Sequence, residues 1–154
     1  MDKFEEALKW IVGILREKKI DFQIAGSVAA KIYGSNRKIT DVDILIREED
    51  FDRLLPSVKQ YVVKGPLQSE SEMLDCLFMK LVYKGATIKF GGSERTKIFD
   101  KKANRLVNFE VNLSRYVNKT IFGIVLPLMP RDELLKYKEN LGRKVDKTDI
   151  DNLI

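Results

Sequence analysis

The amino-acid sequence predicts an α/β (α+β) fold, a mixed β-sheet flanked by helices. Three observations carry that reading. Apolar residues at helical spacing open the chain, short apolar runs bounded by Gly and polar turns fill its middle, and a Pro-led helical segment with a Gly stop closes it. The 154 residues, 44% of them hydrophobic, suffice for one core, so 1–154 is read as a single domain with 130–154 a C-terminal helical segment packed on it.

Taken in order, Phe4, Leu8, Ile11, Val12 and Leu15 predict an amphipathic helix over about 2–18. A strand follows over Ile20–Ala25, ended by Gly26-Ser27, with one or two helical turns from Val28 to Tyr33 closed by Gly34. Asp41–Ile46 is a second strand, and Glu48–Val58 a helix interrupted near Pro56. Tyr61–Ser71, with Gly65-Pro66, reads as irregular. Leu77–Tyr83 and Ala86–Phe90 form two strands joined at Lys84-Gly85. A charged loop runs through Arg105, then the alternation of Val107, Phe109, Val111 and Leu113 predicts a half-buried strand over Leu106–Leu113. Ile121–Leu128 pairs in the sheet or crosses its edge. Pro130 opens a helix through Leu141 with Asp132 and Glu133 in its first turn, Gly142 stops it, and a last helix begins at Asp149.

Composition narrows the chemistry. There is no histidine and a single cysteine. That excludes an internal disulfide, the usual Cys/His zinc sites and a histidine general base. Cys76 lies in an apolar run and is read as buried filler. Any metal must be held by carboxylates, which points to Mg²⁺. The net charge of +5 suits a polyphosphate or nucleic acid, but the cations form no long tract. No signal peptide or membrane span is recognised, so a cytoplasmic protein without membrane contact is expected; a homo-oligomer is compatible with the sequence.

The informative stretch is Ile24-Ala-Gly-Ser-Val-Ala-Ala-Lys-Ile-Tyr-Gly-Ser-Asn-Arg-Lys-Ile-Thr-Asp-Val-Asp-Ile-Leu-Ile46. Gly26 allows close backbone approach to a phosphate at a helix N-terminus, and the Ser27 hydroxyl can donate to it. A plain helix cap would use the same two residues. Asp41 and Asp43, two apart in a strand, place both carboxylates on one face about 6–7 Å apart. Such a pair repels unless a cation lies between them, which Mg²⁺ does. A solvent-facing strand with two acids is the alternative. Arg37 and Lys38, in the loop before, are within range of phosphates or are simply solvated.

Strand, Gly-Ser, short helix, then Asp-x-Asp opening an apolar strand resembles the nucleotidyltransferase superfamily. Its members include DNA polymerase β, poly(A)- and CCA-adding enzymes and aminoglycoside nucleotidyltransferases, and the chain is similar to small single-domain bacterial and archaeal ones. The resemblance implies a nucleotidyltransferase-like mixed sheet, triphosphate contact at Gly26 and Ser27, and catalytic metal on Asp41 and Asp43. A second region, Leu134-Leu-Lys-Tyr-Lys138 followed by Gly142-Arg143-Lys-Val-Asp146-Lys-Thr-Asp149-Ile150, resembles the family's C-terminal pattern. It implies phosphate contacts from Lys138 and Arg143, and departs from that pattern in having Val145 where Lys is expected.

The family adds a third carboxylate from a later strand, and the position that Ala86–Phe90 offers for it is Lys89. Either Lys89 contacts the triphosphate or neutralises Asp41 and Asp43, or Glu94, Asp100 or Glu110 supplies the acid. The resemblance thus implies a Mg²⁺-dependent nucleotidyltransferase moving a nucleoside monophosphate from a nucleoside triphosphate to a hydroxyl on a small molecule, a protein or an RNA end. The alternative is a catalytically impaired nucleotide-binding or regulatory module of the toxin–antitoxin type.

Overall fold

The computed structural model describes residues 2–153, so the Met1 and Ile154 included in the expected domain and last helix lie outside the described residues. Helix α1 (Lys3–Glu17) forms where its spacing predicts. Asp2 caps it by accepting from the Phe4 N–H at 2.6 Å, and Ala7, Leu8, Ile11 and Leu15 are fully buried. The chain continues through β1 (Phe22–Ala25), α2 (Gly26–Ile32), β2 (Val42–Ile46), a 3₁₀ turn and α3 (Phe51–Val58). Then come β3 (Val62–Glu70), β4 (Leu74–Tyr83), β5 (Ala86–Gly92), β6 (Lys97–Asp100), β7 (Arg105–Asn108), β8 (Val117–Ile121) and β9 (Ile124–Leu128). Helices α4 (Arg131–Leu141) and α5 (Lys144–Asn152) complete it.

The strands form one mixed sheet in the order β7-β6-β4-β5-β2-β1-β9-β8, with β3 also paired to β4. At its centre β2 runs antiparallel to β1 and parallel to β5. Strand periodicity divides the two faces. Val42, Ile44 and Ile46 of β2, and Ala86, Ile88 and Phe90 of β5, pack in the main core with α1 and α3. The opposite face carries Asp43, Leu45, Lys89 and Gly91 of the same strands, next to a smaller core of Ala25, Ala29, Ala30, Met129, Leu134 and Leu153. Among the described residues no helix is long and apolar enough to cross a membrane.

Several elements differ from the sequence expectation for identifiable reasons. Pro56 does not interrupt α3; it sits on the exposed side, where the carbonyl it leaves unpaired meets water. The irregular stretch Tyr61–Ser71 is largely β3, its Gly65-Pro66 absorbed in a register shift. Gly65 is required there, since a Cβ would sit 2.3 Å from the Phe78 carbonyl oxygen. The charged β6, paired between β7 and β4, is only four residues long with Ile98 alone buried, too short to show an apolar alternation. Strand β7 ends at Asn108, earlier than its alternation predicts, because the Phe109 and Val111 N–H groups leave the ladder to donate to the Thr96 and Ser93 carbonyls. The expected Ile121–Leu128 strand is the second arm of a hairpin whose turn, Phe122-Gly123, has positive φ at both residues, the two-residue turn that matches strand twist.

Replacing Phe90, fully buried in the main core, should show where stability resides. Phe90→Ala is expected to cost about 3–5 kcal/mol in urea denaturation, whereas Val125→Ala, at a position 48% exposed, should change stability by less than about 0.5 kcal/mol.

Candidate functional site

The site is built on the strip of sheet opposite α1. Asp43 pairs in register with Ala25 on one side and Lys89 on the other, so Lys89 occupies the neighbouring position expected for an acid. Asp43 points beneath Gly26: a Cβ on Gly26 would fall 2.0 Å from Asp43 Oδ2. Gly26, at φ +61°, is therefore required both by the backbone and by the carboxylate under it. Asp41 precedes β2 and turns to the same side, with Lys89 Nζ 2.9 Å from its Oδ2.

The two acids titrate as a pair. Burial, and then the negative Asp41, push the Asp43 carboxyl up to about 7. Burial also acts to raise Asp41, but the hydrogen bond from Asp43 and the Lys89 ammonium outweigh it and hold Asp41 below the ordinary carboxylate value. Asp43 is half-buried at the cavity floor, and it carries the shared proton. Lys89 is in turn raised, the pull of Asp41 exceeding its own desolvation.

The Ser27 hydroxyl is already engaged. It donates to the Asp41 carbonyl at 3.0 Å and accepts from the Thr40 N–H at 3.2 Å, tying the loop before β2 to the start of α2. Phosphate contact by this hydroxyl would have to displace the first of these bonds.

The C-terminal pattern forms the opposite wall. Asp149 of α5 has no solvent exposure and accepts from Ser35 Oγ at 2.6 Å, from Arg37 Nε and Nη2 at 2.8 and 2.7 Å, and from Lys138 Nζ at 2.7 Å. Burial would raise its carboxyl, but these hydrogen bonds hold it well below the usual range. Asp146, equally buried, accepts from Arg143 Nε at 2.7 Å and lies 3.8 Å from Lys138 Nζ. The acids of α5 thus hold Arg37, Lys138 and Arg143 in fixed positions facing the aspartate pair.

Between these walls lies a cavity of about 370 Å³. Of the residues singled out from sequence, Gly26, Ser27, Arg37, Asp41, Asp43, Lys89, Lys138 and Arg143 line it. Lys38 does not; its side chain is exposed and outside the cavity wall. Glu94, Asp100 and Glu110 are also absent from the wall, and among the described residues no third carboxylate joins the pair. Much of the remaining lining is apolar, and Leu45, Cys76, Phe78, Phe109, Met129 and Tyr137 were not singled out from sequence as site residues. Phe109 and Tyr137 meet edge to face at 5.5 Å between ring centroids. Only the departure of Phe109 from its strand brings it there, which periodicity could not reveal.

Known structures give this arrangement a context. No family model and no curated protein sequence matches the chain. A candidate nucleotidyltransferase from Thermotoga maritima superposes with a TM-score of 0.73 at 20% identity, covering 94% of this chain and 87% of that one. The lincosamide antibiotic adenylyltransferase LnuA, bound to lincomycin, gives 0.66 at 11% identity over 99% of this chain and 96% of that one. The antibiotic-resistance factor ANT(2″)-Ia gives 0.61 at 12% identity over 96% and 78%. The chain has a nucleotidyltransferase-like fold.

Two substitutions test how the site is built. Gly26→Ala should cost about 1–2 kcal/mol from the left-handed backbone alone, and further from displacing Asp43, read by thermal denaturation. Asp149→Asn should cost about 3–5 kcal/mol at neutral pH by leaving buried cations unpaired. Because the folded carboxyl is depressed, Asp149 contributes stability above the unfolded value near 4 and loses it as pH falls below that. The stability loss between about pH 4 and pH 2 should accordingly be shallower in Asp149→Asn.

Proposed function

We propose that this chain binds a nucleoside triphosphate with Mg²⁺ and transfers its nucleoside monophosphate to an acceptor hydroxyl. One observation carries the reading: Asp43 lies under the Gly26 bend with Asp41 beside it, and the pair shares a cavity with three cations held by buried acids. The fit to a divalent cation is chemical. Burial and the negative Asp41 raise the Asp43 carboxyl despite the opposing pull of Lys89 and Lys138, and a hard cation shared by the two carboxylates would offset that charge. Asp41 and Asp43 would hold the ion, which when bound would neutralise phosphate oxygens and orient them for displacement.

The chain's own residues do the remainder. Arg37, Lys138 and Arg143 stand opposite the acids, where they would clamp phosphate oxygens without reorganising, since α5 already holds them. The acceptor oxygen attacks the α-phosphorus, the bond from that phosphorus to the bridging oxygen breaks, pyrophosphate leaves with the electron pair, and the hydroxyl proton passes to a carboxylate of the pair. The apolar wall at Phe78, Phe109 and Tyr137 would take a base or an acceptor body.

A second reading is favoured by one contact. The 2.9 Å pair between Lys89 and Asp41 already supplies one positive charge where an acid is expected. It supports triphosphate binding without turnover, as in a regulatory module.

Both readings meet one experiment. Calorimetry should show triphosphate binding strengthened by Mg²⁺ and lost in Asp43→Ala, and labelled triphosphates should mark an acceptor if transfer occurs; unchanged triphosphate binding in Asp43→Ala together with no labelling across a broad acceptor set would sink the proposal. Tight, Mg²⁺-independent binding without labelling selects the regulatory module. Asp43→Asn, which keeps the shape and removes the charge, should raise metal-free stability at pH 8 by about 1–2 kcal/mol while abolishing the stabilisation by Mg²⁺ with triphosphate.

A further inference from the structure

The sheet register continues past the aspartate pair in one direction. Lys89 of β5 stands opposite Lys80 of β4, and Lys80 stands opposite Lys64 of β3. Opposed residues project from the same face, so the row Asp43, Lys89, Lys80, Lys64 crosses four strands. Neighbouring strands lie about 5 Å apart, so the row runs roughly 15 Å from Asp43 to Lys64 at the sheet edge. Like charges directly opposite one another are unfavourable. Lys89 is relieved by Asp41. Among the described residues neither Lys80 nor Lys64 is within ion-pair distance of a carboxylate, so the two stand opposed with no acid between them.

Aromatic and apolar groups accompany this row. Lys64 Nζ lies 5.8 Å from the centre of the Phe78 ring, and Phe78, which lines the cavity, stands opposite Leu67, an exposed leucine of β3. A cationic track beside an aromatic face is what a single nucleic-acid strand uses: phosphates along the charges, bases on the ring. A compact neutral acceptor gives no reason for unpaired lysines running away from the reacting centre.

We propose that the Lys89–Lys80–Lys64 row is a binding track for a single-stranded nucleic acid whose terminal hydroxyl is the acceptor. For the reacting end this rests on the triphosphate reading above. The terminal hydroxyl oxygen forms the bond to the α-phosphorus, pyrophosphate leaves, and the strand gains one nucleotide. Lys80 and Lys64 touch the strand behind that end and take no part in the bond change.

Fluorescence anisotropy of a labelled single strand, as RNA and as DNA, between about 50 and 200 mM salt tests the track. Three phosphate contacts predict a slope of log affinity on log salt of about −2, falling to about −0.7 in Lys64→Gln/Lys80→Gln with at least roughly tenfold weaker binding at the low-salt end. The surface pair Lys101→Gln/Lys102→Gln should leave both unchanged. Whichever sugar binds tighter names the strand, and either supports the track. Lys80→Gln should melt at or above the wild-type temperature, since it removes like-charge repulsion. The proposal is overturned by absence of strand binding at low salt, by a wild-type slope in the double variant, by equal loss in the surface pair, or by duplex binding as tight as single strand. Strand binding without any triphosphate binding would keep the track and remove the transfer reading instead.

Discussion

Asp43 under the Gly26 bend is the contact on which the rest of the site depends. It fixes three things at once. The residue above it must be glycine, because a side chain would occupy the space of the carboxylate. The register of β2 between β1 and β5 follows, since a slip of one residue would send Asp43 into the main core and bring Ile44 out. The charge must also be managed, because desolvation and Asp41 together oppose its ionisation. A carboxyl held this way is a poor choice for stability alone, which is why the arrangement reads as a binding site and not as a surface feature.

The opposing wall solves the complementary problem. Long cationic side chains lose entropy when fixed, and free arginine and lysine would sample many positions. Burying Asp146 and Asp149 makes their partners' positions obligatory, since either acid left unpaired in the interior is expensive. Arg37 comes from the loop before β2, Lys138 from α4, and both meet on Asp149. The same bonds that seat the C-terminal helix therefore set the geometry of the cations, and fold and site share one set of interactions.

What could be read from sequence follows the range of the interactions concerned. The α1 stripe, the two carboxylates on one face of β2 and the Gly142 stop are local, and period or turn chemistry reports them directly. The Lys89 position also followed from alternation along β5, and the structure places it beside Asp43. Non-local features were not legible. Nothing around Asp149 announces that it accepts from residues more than a hundred positions earlier, and Phe109 reaches the cavity only because its N–H bonds outside the sheet. Lys38 shows the converse: adjacent to Arg37 in sequence, it has no buried acid to hold it and stays outside the cavity.

The lysines illustrate the same limit in its sharpest form. At positions 64 and 80 they read as ordinary solvated charges in two separate segments, and only strand register sets them beside Lys89. Once aligned, they invert the usual logic of a sheet surface, in which opposed positions alternate in sign or hide their charge. The aspartate pair relieves the innermost member alone. The register that aligns Lys64 with Lys80 is set between β3 and β4, independently of the β1–β2 register that seats Asp43 beneath Gly26, so the like charges of this face call for a counter-charge from outside the sheet, which an extended anion lying across it would supply.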